Sequence, residues 1–258
     1  MATVVSPKAK IDSSTYIGPN CIIDGNVEIG KNNKLIANIV ITGNTKIGDN
    51  NTFYPFSSIG GNPQDLKYKG EESYLYIGNN NTFREYVTVN TGTEGGGLKT
   101  IIENNCLFMV SSHIAHDCII KSNVILANNA TLAGHVEIFE NAIIGGNSAV
   151  HQYVKIGKYA MVGGMSGVEK NIIPYSLYTG IRSELKGINI IGLKRKGLSS
   201  KEINLIIKVV KNIFNNSNSI EKNINSLSKD HLILEEINEI VEFIKKNQKR
   251  GICRFIDE

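Results

Sequence analysis

A six-residue beat of aliphatic side chains constrains this chain more than any other feature. Val5, Ile11, Ile17, Ile23, Ile29, Leu35, Ile41, Ile47, Phe53 and Ile59 fall on one arithmetic series. The beat returns in phase at Ile77, Phe83 and Val89, restarts one register later at Ile102, and runs by sixes to Val168. A small or acidic residue often follows the aliphatic one, as in Ile17-Gly18, Ile47-Gly48, Leu132-Ala133 and Ile156-Gly157, and lets the backbone turn a tight corner. Such periodicity predicts a mainly β fold, a parallel β-helix in which each hexapeptide contributes one short strand and one turn, three to a triangular coil. The repeats make about eight coils, and at ~4.8 Å between strands a prism roughly 40 Å long with stacked aliphatics inside. Hexapeptide coils wind left-handed, against the general right-handed preference of parallel crossovers. Their corners call for residues at ease with positive φ, and Gly25, Asn26, Asn32, Asn33, Gly43 and Asn44 are available. A meander of antiparallel hairpins would instead alternate with period two and irregular spacing.

Beyond about Ile190 the beat ends and helical patterning begins. This divides the chain into a β-helix over residues 1–189 and a C-terminal α-helical domain over 190–258. Ser199 or Ser200 is placed to cap a helix with Glu202 nearby, and Ile203, Ile206, Ile207, Val210 and Phe214 form its apolar stripe. Ser219 opens a second helix, and Ile233, Ile237, Ile240, Val241 and Ile244 mark a third. Basic residues gather at Lys194-Arg195-Lys196, Lys245-Lys246 and Lys249-Arg250, which as helix ends would complement the dipoles. A net charge of +4, dispersed along the coils, argues against nucleic acid as a partner. The four cysteines form no CxxC pair, the opening MATVVSPKAKID lacks a signal-peptide pattern, and no apolar run is long enough for a transmembrane segment. These features predict a cytoplasmic protein that needs no disulfides.

Two insertions interrupt the beat, at 60–76 (GGNPQDLKYKGEESYLY) and 90–100 (NTGTEGGGLKT), and solenoids place function in such insertions. The triple glycine Gly95-Gly96-Gly97 suggests a mobile arm without the spacing of a phosphate-binding loop. Four of the five histidines, His113, His116, His135 and His151, lie within one short stretch. Residues eighteen or nineteen apart stack on adjacent coils, so His116 and His135 are placed to share an edge, with His151 a candidate neighbour. Imidazoles gathered in this way suit either a general base with polar helpers or a metal site, as in the gamma-class carbonic anhydrases.

The strings SSHIAHDC (111–118), LANNATLAGHVEI (126–138), AIIGGNSAVHQY (142–153), NPQDLKYKGE (62–71) and GLKRKG (192–197) resemble the UDP-N-acetylglucosamine O-acyltransferases over essentially the whole chain. Repeats that begin within the first few residues distinguish this pattern from the sister N-acyltransferases, which carry an additional N-terminal domain. The resemblance implies transfer of an (R)-3-hydroxyacyl chain from acyl carrier protein to the glucosamine 3-hydroxyl of UDP-GlcNAc, the first step of lipid A synthesis, with no cofactor and no metal. On that reading His116 is the general base, Asp117 orients its imidazole, and the Gly134 N–H receives the oxyanion. Adjacent side chains of a flat strand point apart, so a His116–Asp117 pair needs the geometry of a corner. Sugar contacts fall by resemblance on His113, His135, Asp65 and Lys67, the acyl 3-hydroxyl on Gln64, and the nucleotide on Gln152, Asn189 and Arg195. Gly164 matches a position where a small residue leaves the acyl groove long, which predicts a myristoyl-length donor, although a glycine there could equally make a corner. Lys196, Ile191 and Asn90-Thr91 depart from the residues associated with the family. The resemblance further implies a homotrimer with sites between subunits, and gives the basic C-terminal runs an acidic carrier protein to meet. A CoA-dependent or N-acyl transferase, a zinc hydratase and a non-catalytic solenoid are the competing readings.

Overall fold

The computed structural model describes residues 2–181, 184–247 and 250–254, apart from the side chains of Glu184 and Lys229. Short strands, mostly two residues long, stack into three sheets of nine, eight and ten strands, parallel except for the final strand of the third, and successive strands visit the sheets in rotation. The chain is a left-handed parallel β-helix followed by helices. Strands pair with a step of eighteen residues, as in Val4↔Ile22 and Leu132↔Val150, because three hexapeptides make one coil. The step lengthens to thirty between Ser58 and Thr88 and to twenty-five between Ile77 and Ile102, where the two insertions leave the prism.

The aliphatic beat points inward. Ile23, Leu35, Ile41, Ile59, Ile114, Ile120, Leu126, Leu132, Ile138 and Ile144 are buried along the axis, and Phe53, Phe83 and Phe108 stack in one column at centroid spacings of 4.7 and 4.8 Å. Beside this apolar core runs a buried amide ladder. Asn33 Oδ1 accepts from the Asn51 backbone and side chain, Asn51 Oδ1 from the Asn81 N–H, and Asn81 Oδ1 from the Cys106 N–H. Each Nδ2 also donates to a carbonyl, of Gly48, Gly78 and Glu103 in turn, so a row of buried amides is satisfied at the edge of an apolar stack. All four cysteines are buried, and none forms a disulfide among the described residues.

Corners are made by single residues in the left-handed region, and they differ in part from the sequence expectation. Asn32 and Gly43 have positive φ, whereas Gly25, Asn26, Asn33 and Asn44 do not; Asn33 begins the ladder instead. One corner column reads Asn105, Asn123, Asn141, Tyr159 and a second reads Asp117, His135, Tyr153, all with φ between 54° and 64°.

The last parallel strand, Ser176–Thr179, pairs antiparallel with Glu184–Ile188. Four α-helices follow among the described residues: α1 (Ile190–Lys196), α2 (Ser200–Ile213), α3 (Ile220–Asn225) and α4 (Glu235–Lys246), with a 3-10 turn at Lys229–Ile233 before the last. Ser199 caps α2 in a reciprocal capping box with Glu202, and Ser219 caps α3. Helix α1 lies ahead of the first helix anticipated from the pattern, and its basic last turn sits where the dipole favours cations. Lys249, in the third basic run, lies outside the described residues. No helix among them is long and apolar enough to cross a membrane.

Candidate active site

The corner at Asp117 brings two sequence neighbours face to face. With φ of +59° at Asp117, its carboxylate folds back to accept from His116 Nδ1 at 2.8 Å. Both residues are buried. The carboxylate is held from its other side by Thr93, whose N–H donates to Oδ1 at 2.8 Å and whose hydroxyl donates to Oδ2 at 2.6 Å; the Asp117 N–H donates to Thr100 Oγ1 at 2.8 Å. Burial pushes the Asp117 carboxyl up, but these hydrogen bonds outweigh it and hold the group below the usual carboxylate range. An ionised Asp117 requires the proton of neutral His116 on Nδ1, which leaves the Nε2 lone pair free.

Gly134 stands against that free nitrogen. A Cβ on Gly134 would lie 2.3 Å from His116 Cε1 and 2.5 Å from Nε2, so only glycine lets the backbone come this close. The Gly134 carbonyl accepts from the Tyr153 N–H, while the Gly134 N–H has no partner among the described residues. His135, at the next corner, crosses His116 edge-on at 5.0 Å, and its Nδ1 lies 3.7 Å from Asp117 Oδ2. Its ring is stacked on Tyr153, with centroids 4.3 Å apart and planes 6° from parallel. His113, on strand His113–Ile114, meets Thr88 Oγ1 through Nδ1 at 2.7 Å. Burial depresses the pKa of both His113 and His135; His116 adds to the effect on His113, and the Asp117 charge opposes it on His135.

The insertions complete the site. Asp65, in the first, places Oδ2 4.0 Å from His116 Nε2 and accepts from the Lys67 N–H in a local turn. The second is a 3-10 turn at Glu94–Gly96 laid against the dyad, where a Cβ on Gly96 would fall 2.0 Å from Asp117 Cγ. Gly96, the middle of the triple glycine, therefore packs on the carboxylate, with Gly95 and Gly97 exposed on either side, where the composition suggested a mobile arm. The loops hold each other: Asn90 Nδ2 donates to the Asn62 carbonyl, Ser73 Oγ to Thr91 Oγ1, and the Glu94 N–H to Glu71 Oε1. Asn90-Thr91, a departure from the family's residues, thus pins one loop to the other.

His116, Asp117 and His135 each offer a ligand atom within 4.8 Å of the others, which is the spacing of a metal site. The donor set fits a cation poorly, because Asp117 Oδ2 already accepts from both His116 Nδ1 and the Thr93 hydroxyl.

A family model for UDP-N-acetylglucosamine O-acyltransferase, domain 2, matches residues 171–253, and one for the bacterial transferase hexapeptide (six repeats) matches 99–134. The acyl-[acyl-carrier-protein]--UDP-N-acetylglucosamine O-acyltransferase of Thermodesulfovibrio yellowstonii is 47% identical over 251 residues, 97% of each chain. Its counterpart in Rickettsia canadensis is also 47% identical, over 98% of this chain and 96% of its own. The chain belongs to the UDP-N-acetylglucosamine O-acyltransferase family. Among solved structures, LpxA of Acinetobacter baumannii superposes with a TM-score of 0.94 at 40% identity, covering 98% of both chains. The Moraxella catarrhalis UDP-N-acetylglucosamine O-acyltransferase gives 0.93 at 37% over the same share of each.

In this member of the family the remaining expected contacts lie in differing surroundings. Gln64, Lys67 and Gln152 are exposed. Asn189 is occupied within the fold: its Nδ2 donates to the Tyr159 carbonyl and its Oδ1 caps α1 by accepting from the Gly192 N–H. Arg195 is exposed, without a partner among the described residues. Lys196 instead binds Glu236 and lies over the rings of Tyr159 and Tyr175, joining α1 to α4 and the coil. Three participants were not anticipated from sequence: Thr93, Thr100 and Tyr153. The threonines carry no periodic signal, but Tyr153 does, since it stands eighteen residues after His135 on the same corner.

Proposed function

We propose that this protein transfers an (R)-3-hydroxyacyl chain from acyl carrier protein to the 3-hydroxyl of UDP-GlcNAc, the entry reaction of lipid A synthesis, with His116 as general base. The observation that carries the reading is the pairing of His116 Nδ1 with Asp117 at 2.8 Å, which leaves Nε2 free beside Gly134, whose N–H has no partner among the described residues. The sugar hydroxyl gives its proton to Nε2 as its oxygen attacks the thioester carbonyl. The resulting oxyanion is received by the Gly134 N–H. Collapse breaks the carbon–sulfur bond, and the departing thiolate takes the proton back from His116. Asp117 stays ionised and steadies the imidazolium formed between the two steps.

Asp65, Lys67, His113 and His135 are the candidate sugar contacts, Gln64 the partner of the acyl hydroxyl, and Gln152, Asn189 and Arg195 the nucleotide contacts. Because the Asn189 side chain caps α1, its contribution to a nucleotide would come through the position of that helix. Gly164 is the candidate limit on acyl length. The corner beside it is made by Met165 at φ +60°, while Gly164 itself does not adopt positive φ and is not demanded by the turn. A Cβ there would meet the Gly146 carbonyl of the neighbouring coil at 3.2 Å, so close coil packing also favours a small residue at this position. Three prisms around a three-fold axis would close a shared cleft over each dyad, in a cytoplasmic homotrimer of two-part subunits, helical from residue 190 onward. The basic turns of α1 and α4 would meet an acidic carrier.

The test is transfer from (R)-3-hydroxymyristoyl-acyl carrier protein to UDP-GlcNAc, comparing the parent with His116→Ala after EDTA treatment. Activity that survives the chelator and is lost in the variant supports the reading. Loss on chelation alone would favour a metal held by His116, Asp117 and His135.

A further inference from the structure

A cavity of about 490 Å³ adjoins the histidine cluster, lined by His135, Tyr153, Lys155, Lys246 and Arg250 among others. It is built by polar ties between coil and helix: the Lys155 N–H donates to Asn171 Oδ1 at 2.7 Å, and Asn171 Nδ2 donates to the Asn247 carbonyl at 2.8 Å, just past the end of α4. His135 belongs to both places. Its ring lies 5.0 Å from that of His116 and 4.3 Å from that of Tyr153, so a ligand reacting at the dyad can extend into the cavity.

The charges here do not balance. Lys155 is paired with Glu137 at 2.7 Å and Lys246 with the well-exposed Glu242 at 3.3 Å. Among the described residues Arg250 has no carboxylate; it donates from Nη2 to His151 Nδ1, and its buried Nε has no acceptor. The side chain as a whole is half-buried; a guanidinium keeps its full charge there, and its fork of N–H donors fits an oxyanion that can accept two parallel hydrogen bonds. Lys155 from the coil and Lys246 from α4 add point charges suited to a phosphate.

We propose that this cavity is a phosphate subsite, with Arg250 as the fork and Lys155 and Lys246 as flanking charges. The identity of the phosphate rests on the acyl-transfer reading, which offers two sources: the diphosphate of a nucleotide-sugar acceptor, and the phosphodiester of the donor's pantetheine arm. The test is calorimetric binding of UDP and of 4′-phosphopantetheine to the full chain, each beside its phosphate-free counterpart, uridine or pantetheine. The parent is compared with Arg250→Gln, Arg250→Lys and Lys155→Gln. Arg250→Gln should weaken one phosphate-bearing ligand by roughly tenfold or more, with partial recovery in Arg250→Lys and no effect on the counterpart. The ligand that is weakened names the source. If Arg250→Gln fails to fold, Lys155→Gln should still weaken that ligand and flatten its salt dependence. Binding that is absent in the parent, or equal in parent and variants for both ligands, overturns the subsite. Because binding is read without turnover, a protein that binds but does not transfer would remove the proposed reaction and leave the subsite standing.

Discussion

Two corners of the same prism solve one backbone problem with different residues. In one column Asn105, Asn123 and Asn141 take the left-handed conformation at φ of 59°, 63° and 60°; in the other Asp117, His135 and Tyr153 take it at 59°, 62° and 64°. The backbone connections match: the Asn123 and Asn141 N–H groups donate to the carbonyls of Asn104 and Ser122, and those of His135 and Tyr153 to His116 and Gly134. Asparagine is among the few L residues at ease in this region, whereas a larger side chain there costs about 1 kcal/mol. The first column is therefore the scaffold's default. Departures from it mark places where the side chain has other work, and the second column contains the carboxylate bonded to His116, the crossed histidine and its stacking partner.

The largest expected effect separates the columns by activity. His116→Ala should lower kcat by roughly 10² to 10⁴-fold in the transfer assay with little change in melting temperature, in the range expected for loss of a general base. Gly134→Ala should be comparably severe, because its methyl would meet the His116 ring at 2.3 Å. A Gly134→Ala variant retaining parental kcat would show that this backbone does not face the reacting atoms.

The scaffold side should break in the opposite sense. Asn51→Leu removes an amide that accepts from Asn81 and donates to Asn33 and to the Gly78 carbonyl, leaving buried groups unpaired. A loss of about 2 to 4 kcal/mol in urea unfolding is expected, with kcat per folded molecule unchanged. Loss of kcat in the folded fraction would show that the ladder and the dyad are coupled.

Exchange between the columns sharpens the comparison at smaller cost. Tyr153→Asn should leave stability within about 1 kcal/mol, since relief at the corner offsets the lost stacking, and should lower activity by freeing the His135 ring. Asn123→Tyr should cost about 1 kcal/mol and leave activity intact. Equal activity in both variants would mean that the second column is as passive as the first.

The two columns also explain what could be read before the fold was known. The aliphatic beat reports the core because every inward position repeats, and His116 with His135 could be placed on one edge by their spacing alone. The corner assignments were less legible: Asn26 and Asn33 have the composition of a corner without its conformation, because neighbouring positions of one hexapeptide turn all favour asparagine while only one has positive φ. Thr93 and Thr100 were invisible, since the insertion that delivers them to Asp117 has no period. The cavity at Arg250 depends on a contact between residue 151 and residue 250 that no local pattern encodes.

The smallest effect concerns pH. Burial favours neutral His113 and His135 in the folded protein, so the folded state binds fewer protons there than the unfolded chain. Their contribution is complete above the unfolded value of 6.5 and is lost as pH falls through the lower folded values. Asp117 acts in the same direction but later, keeping its contribution above 3.8 and losing it as pH falls through its own depressed value. Unfolding free energy should therefore decline in two stages on acidification, the first opening below about pH 6.5. In His113→Gln/His135→Gln the first stage should shrink while the second persists. The corresponding change at the asparagine corner, Asn123→Gln, should leave both stages in place. A double variant with an undiminished first stage would assign that titration to groups outside the site.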